Sequence, residues 1–130
     1  MTQTQQQVGL VGLAVMGENL ALNIAEKGFT IAVYNRSTER VDAFEARAAR
    51  EGQGGIAFCR SPEAFVASLA RPRRIILMVK AGAPVDDTIE KLAPLLEPGD
   101  MLIDGGNEHF TNTERRGRAL SARVLHYLGM

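Results

Sequence analysis

The sequence predicts an α/β fold on a mainly parallel sheet, and three observations carry that expectation. Short β-branched or apolar runs alternate with longer segments of helical period. Several runs are almost continuously β-forming rather than alternating, as strands covered on both faces are. A glycine-spaced turn, Gly12-Leu13-Ala14-Val15-Met16-Gly17, joins the first run to the first helical segment. The 130 residues suffice for one core: at this size about two-thirds of the unfolded chain's surface is buried. Little room remains for a second domain.

Val8-Gly9-Leu10-Val11 reads as the first strand. The helix after it runs from about Val15 to Lys27. It sets Met16, Leu20 and Ile24, with the small Gly17, Ala21 and Gly28, on one side, and Glu18, Glu26 and Lys27 toward water. Gly28 supplies the stop. Thr30 to Tyr34 forms the second strand. Ser37 is placed to cap a helix with Val41, Phe44 and Ala48 on one stripe, ending in Gly52-Gln53-Gly54-Gly55. Ile56-Ala57-Phe58 is a weak edge strand.

Ser61-Pro62-Glu63 begins a short helix through about Leu69: a hydroxyl cap, a proline at the first helical position and an acid in the first turn. Arg74 to Val79 is the strongest strand and belongs at the sheet centre. The helix from about Val85 turns Val85, Ile89 and Leu92 inward and Asp86, Asp87 and Glu90 outward, with Pro94 near its end. Glu97-Pro98-Gly99-Asp100 turns into a strand from Met101 to Asp104. Asn112 is placed to cap an arginine-rich helix, and Arg123 to Leu128 is a final strand.

Such a βαβ series needs right-handed crossovers. It implies a Rossmann-type, doubly wound six-stranded sheet in the order 3-2-1-4-5-6, with helices on both faces; a flavodoxin order is the alternative. The sequence stops just after the last strand with no closing helix, which reads as a piece of a longer protein.

Fifteen Lys plus Arg balance fifteen Asp plus Glu, so the basic excess of a generic nucleic-acid binder is missing. No apolar stretch approaches the roughly 20 residues that span a membrane. Met1 to Gln7 lacks the basic and apolar parts of a signal peptide and reads as a frayed end. Cys59 alone makes neither an internal disulfide nor a Cys-rich metal site, which suits a reducing cytoplasm.

The turn has dinucleotide-fingerprint spacing with Ala14 in the second glycine position. Gly12 permits the tight turn and Gly17 lets the helix approach the sheet. Amides opening the helix would face a pyrophosphate; alternatively the glycines only solve a strand-to-helix turn. At the end of the second strand, Tyr34-Asn35-Arg36-Ser37 lacks the acid that commonly receives ribose hydroxyls in an NAD site. Arg36 offers a planar fork of donors, Ser37 a hydroxyl and Arg40 a second charge at i+4, a set suited to the 2′-phosphate of NADP. The bland alternative pairs Arg36 and Arg40 with Glu39 or Asp42.

Ligands of open α/β sheets sit beyond the carboxyl ends of the strands. Val79-Lys80-Ala81-Gly82 and Asp104-Gly105-Gly106-Asn107 lie there. The first loop offers backbone to a ribose or nicotinamide, and Lys80 is expected to act through its backbone more than its amine. Asn107 can donate and accept at once, which suits a carboxamide or a substrate hydroxyl; it can also be a plain turn residue. His109 and His126 are weak catalytic candidates. Arg115, Arg116 and Arg118 read as a solvated or subunit-contact face. No spacing resembles a zinc site, and no metal is expected.

Together these segments, with Gly12 to Asn23 and Thr113-Glu114-Arg115-Arg116, resemble the amino-terminal part of the 6-phosphogluconate dehydrogenase family over nearly the whole chain beyond residue 7. The resemblance implies that Asn35, Arg36, Ser37 and Arg40 clamp the adenosine phosphate, with Arg40 where a lysine is common. It implies that Gly12, Leu13, Ala14, Val15, Met16 and Gly17 hold cofactor, Met16 lying beside the nicotinamide. Val79, Lys80 and Ala81 would form a backbone platform, and Asn107 would touch both substrate and nicotinamide. Asn112 replaces a usual aspartate, and either residue caps a helix.

The implied reaction is NADP-dependent oxidation of 6-phosphogluconate at carbon 3, then loss of carbon dioxide and tautomerisation to ribulose 5-phosphate, without a metal. The family's lysine base and glutamate acid match no position here, so the chain supplies half a cofactor site and one substrate contact and is expected to be inactive alone. The complete enzyme would be a cytoplasmic homodimer that binds neither nucleic acid nor membrane. Two rivals remain: a related β-hydroxyacid dehydrogenase or imine reductase, and a freestanding NADP-sensing or dimerisation module.

Overall fold

Short apolar runs that must be covered on both faces produce the sheet seen in the computed structural model, which describes residues 5–79, 83–105 and 126–129. The strands are β1 (Val8–Val11), β2 (Ile31–Tyr34), β3 (Ile56–Cys59), β4 (Arg74–Leu77), β5 (Met101–Asp104) and β6 (His126–Gly129). Their order is β3-β2-β1-β4-β5-β6, as the sequence predicts. All five neighbouring pairs run parallel. β1 and β4 are adjacent, with Leu10 opposite Ile76. The chain changes direction across the sheet there, and a crevice opens beyond the strand ends.

The helices are α1 (Val15–Glu26), α2 (Thr38–Arg50), α3 (Pro62–Ala67) and α4 (Ala83–Leu92), the last running into a 3-10 turn at Ala93–Leu95. They divide between two cores. Leu10, Ile31 and Val33 point to one face, with Ala21 and Ala25 of α1 and Val41 and Phe44 of α2. Val11, Ala32, Tyr34, Ile75 and Leu77 point to the other, with Phe65 of α3 and Val85, Ile89 and Leu92 of α4. The period of two along each strand distributes the residues between these layers.

Three local expectations need correction. The buried line of α1 is Gly17, Ala21 and Ala25. Met16 is 71% exposed, and Leu20 and Ile24 are only half-buried. A Cβ on Gly17 would collide with the Gly12 carbonyl, so the helix lies too near the sheet for long side chains on its centre line. The amino-terminal segment is not frayed at Gln6 and Gln7. Gln6 N donates to Ser68 O at 2.8 Å and Gln7 N to Thr30 O at 3.1 Å, and Gln6 forms an isolated parallel bridge with Leu69. β4 ends at Leu77, since Met78 and Val79 turn into the crevice, while β3 continues to Cys59. The expected arginine-rich helix lies outside the described residues.

At the opposite end of the sheet, Arg73 and Asp100 are both buried. Asp100 Oδ2 accepts from Arg73 Nη1 at 3.0 Å and from Glu97 N at 2.8 Å, and Oδ1 accepts from Arg73 N at 2.8 Å. Arg73 Nε donates to Val66 O at 3.1 Å. One pair thus ties the approaches to β4 and β5 to the end of α3.

Candidate functional site: the crevice beyond β1, β2 and β4

Gly12 leaves β1 with φ +108°, a conformation that favours glycine. A Cβ there would strike the Met78 carbonyl, so the turns after β1 and β4 are packed backbone against backbone. Gly12 N donates to Tyr34 O at 3.0 Å. Leu13 N donates to Asn35 Oδ1 at 2.8 Å, and Asn35 Nδ2 donates to Ser37 O at 3.1 Å. Asn35 thereby fastens the glycine turn to the loop that carries Arg36.

Helix α1 opens at Ala14 with no side-chain cap. The first turn of a helix leaves N–H groups without intrahelical partners and carries partial positive charge. Gly12, Leu13, Ala14, Asn35, Arg40, Met78 and Val79 line a cavity of about 180 Å³ beside it. An uncapped helix start that opens on this cavity, with its first-turn amides unpartnered by any side-chain cap, fits a phosphate group.

A second cavity, about 120 Å³, lies between the end of β2 and α4. Val11, Tyr34, Val79, Pro84 and Leu92 form its apolar wall, with Asn35, Arg36, Asp87, Thr88 and Lys91 as its polar groups. Burial, helped by Glu63, pushes the Tyr34 phenol above its ordinary pKa, while Arg36 acts in the opposite direction. The ring stays neutral, its centroid 5.9 Å from that of Phe65 with the planes tilted by 35°.

The two arginines separate. Arg36 borders the apolar cavity, whereas Arg40 Nη1 donates to Leu13 O at 3.4 Å beside the glycine turn. Neither is in a salt bridge among the described residues; Asp42 is taken by Arg60 at 2.8 Å. Ser37 occupies the cap position of α2 but makes no side-chain cap bond, contrary to the expected capping; its backbone carbonyl accepts from Asn35 Nδ2.

Val15 and Met16 are exposed at the helix start, and Gly17 is buried beneath it. Val79 borders both cavities. Lys80, Ala81 and Asn107 lie outside the described residues. Sequence reasoning missed the α4 wall of Pro84, Asp87, Thr88 and Lys91. The available signal was topological: a helix that follows the loop after β4 begins at the crevice. Among the described residues no cluster of His, Cys, Asp and Glu could hold a metal ion, and no helix is long and apolar enough to cross a membrane.

Residues 7–130 match a family model described as the NAD binding domain of 6-phosphogluconate dehydrogenase. The chain is 58% identical over 124 residues to the decarboxylating 6-phosphogluconate dehydrogenase 1 of Spinacia oleracea, covering 95% of this chain and 26% of that protein. It is 59% identical over 125 residues to the Synechococcus elongatus enzyme, covering 96% and 26%. The chain therefore spans about a quarter of the length of these relatives. Among solved structures, Plasmodium falciparum 6-phosphogluconate dehydrogenase, described in apo form and in complexes with NADP+ and with 6-phosphogluconate, superposes with a TM-score of 0.87. Its identity is 43%, with 93% of this chain and 26% of that one covered. A Mycobacterium tuberculosis 3-hydroxyisobutyrate dehydrogenase has a TM-score of 0.79 at 18% identity, with 96% and 40% covered. That likeness extends to the fold alone.

Proposed function

The chain belongs to the family of the 6-phosphogluconate dehydrogenase NAD-binding domain, and from that premise we propose that residues 1–130 form one domain that binds NADP for oxidative decarboxylation of 6-phosphogluconate to ribulose 5-phosphate. The observation that carries the reading is the Asn35–Leu13 bond at 2.8 Å, which brings the phosphate-cradling turn and Arg36 to one crevice.

In this reading the pyrophosphate rests on the amides of Ala14, Val15 and Met16, beside a Leu13 amide that Asn35 holds, in a turn that Gly12 and Gly17 allow to pack against the backbone beneath it. The adenine enters the apolar cavity between Tyr34 and α4. Arg36 and Ser37, with Asn35 holding their loop, receive the 2′-phosphate, and Arg40 adds positive charge from the side of the turn. Bound NADP supplies the hydride acceptor. Exposed Met16 and the Val79, Lys80 and Ala81 segment border the nicotinamide, and Asn107 orients carboxamide and substrate.

The substrate 6-phosphogluconate, a homodimeric assembly and a cytoplasmic location belong to the same proposal for the complete enzyme. The family's lysine base and glutamate acid match none of these 130 positions. The chain itself therefore binds and orients cofactor without moving the substrate's protons.

Fluorescence or calorimetric titration tests the proposal. The 130-residue polypeptide is expected to bind NADP in preference to NAD and to show no 6-phosphogluconate oxidation. Equal affinity for both dinucleotides, or turnover by these residues alone, overturns it.

A further inference from the structure

Three side chains converge on the Arg47 guanidinium near the start of the phosphate-facing helix. Arg47 Nη1 donates to Glu18 Oε1 at 2.9 Å, Nη2 to Asn19 Oδ1 at 3.1 Å and Nε to Glu51 Oε2 at 2.8 Å. Arg47 and Glu51 belong to the end of α2, whereas Glu18 and Asn19 lie at the beginning of α1. The Glu18 side chain is only 20% exposed.

Glu18 is the acid in the first turn of α1, directly after Gly17. Helical Cα–Cβ bonds tilt toward the amino end, and a carboxylate is attracted to that end by the same partial charge that attracts a phosphate. Left to itself, Glu18 would lean toward the opening of α1 and repel an incoming pyrophosphate. The Arg47 fork holds it toward α2 instead.

We infer that Arg47 is a positioning residue for dinucleotide binding: it draws the Glu18 carboxylate away from the start of α1, neutralises it, and leaves the helix-opening amides to the ligand's phosphates. This rests on the NADP-binding reading. It adds a positioning contact between the first turn of α1 and the last turn of α2.

The experiment measures the affinity of the full 130-residue chain for NADP, NAD and adenosine 2′-monophosphate, in wild type, Arg47→Ala, Glu18→Gln and the double variant. Arg47→Ala is expected to weaken both dinucleotides by a similar factor, about three- to tenfold at low salt. Adenosine 2′-monophosphate, which lacks the pyrophosphate, should bind unchanged. Adding Glu18→Gln should restore dinucleotide affinity to that of Glu18→Gln alone, and added salt should shrink the Arg47→Ala loss. Thermal unfolding identifies any variant that fails to fold, and Glu18→Gln then carries the test through tighter or equal dinucleotide binding.

If the double variant stays as weak as Arg47→Ala, the bond is a helix tie without influence on the phosphates, and the inference is overturned. Unchanged affinity in Arg47→Ala overturns it equally. Wild-type protein that binds no dinucleotide overturns the functional reading, and this inference with it; that outcome is distinct because it appears before any substitution.

Discussion

Asn35 Oδ1 and Leu13 N, 22 residues apart in sequence, are joined by a hydrogen bond of 2.8 Å. The acceptor stands at the end of β2 and the donor in the turn after β1. The same amide side chain donates to Ser37 O, so it sets the turn and the Arg36 loop against each other. Asn35, a residue expected to contact the ligand, is a brace between the two loops at the crevice.

Asn35→Ala removes both bonds, leaving the turn to the Gly12–Tyr34 backbone bond, the Arg40–Leu13 contact and its packing on Met78. Affinity for NADP and NAD should fall together, and stability by about 1 kcal/mol for each lost bond. Asn35→Asp keeps an acceptor for Leu13 but adds negative charge beside Arg36. It should therefore weaken NADP more than NAD. Titrations of both variants with both dinucleotides check this, and an alanine variant with unaltered affinities would remove the brace from the argument.

Arg36→Ala should weaken NADP by tenfold or more, on the order of 1.5–3 kcal/mol for a charge-assisted bond, and leave NAD almost unchanged. Arg40→Ala should weaken both ligands, because Arg40 bonds the Leu13 carbonyl and lines the cavity at the glycine turn. The readout is the ratio of the two affinities. Equal losses of NADP and NAD in Arg36→Ala would show that this guanidinium does not read the 2′-phosphate.

Gly17→Ala should abolish dinucleotide binding or unfold the domain. Its Cβ meets the Gly12 carbonyl, which cannot move without disturbing the turn. Gly28→Ala is the control: space is open around it, although its φ of +96° strains any side chain. It should lower stability by about 1 kcal/mol and leave affinity intact. Circular dichroism with a binding titration separates the two outcomes.

The succession of strands and helices was legible because it follows from apolar runs written locally; those runs and right-handed crossovers leave a flavodoxin order open, and the pairing of β1 with β4 decides against it. The stripes Val41–Phe44–Ala48 and Val85–Ile89–Leu92 were legible for the same reason. The inner line of α1 was misread because Met16, Leu20 and Ile24 have the greater hydrophobicity. Packing against the Gly12 carbonyl selects instead for smallness, at Gly17, Ala21 and Ala25. The place of both arginines just after β2 was legible, but their division between two cavities was not. Arg40 turns toward Leu13, and that contact depends on how two loops meet. Arg73 with Asp100 left no local signal at all, being 27 positions apart.

That buried pair gives the protein a specific response to acid. Burial alone would raise the Asp100 carboxyl, but bonds from Glu97 N, Arg73 N and the Arg73 guanidinium outweigh it and hold the group below its ordinary value. A folded-state pKa that is depressed contributes stability above the unfolded value, about 3.9. As pH falls through that value, the unfolded chain takes up a proton that the folded chain still refuses, and stability declines until the folded group titrates as well. Asp100→Asn leaves the Arg73 charge buried without its partner, which should cost about 3–5 kcal/mol near pH 7. The difference between wild type and variant should shrink as the pH drops below about 4. Denaturant midpoints between pH 3 and 7 measure this as the two curves converge on the acid side; parallel curves would mean that Asp100 titrates alike in both states.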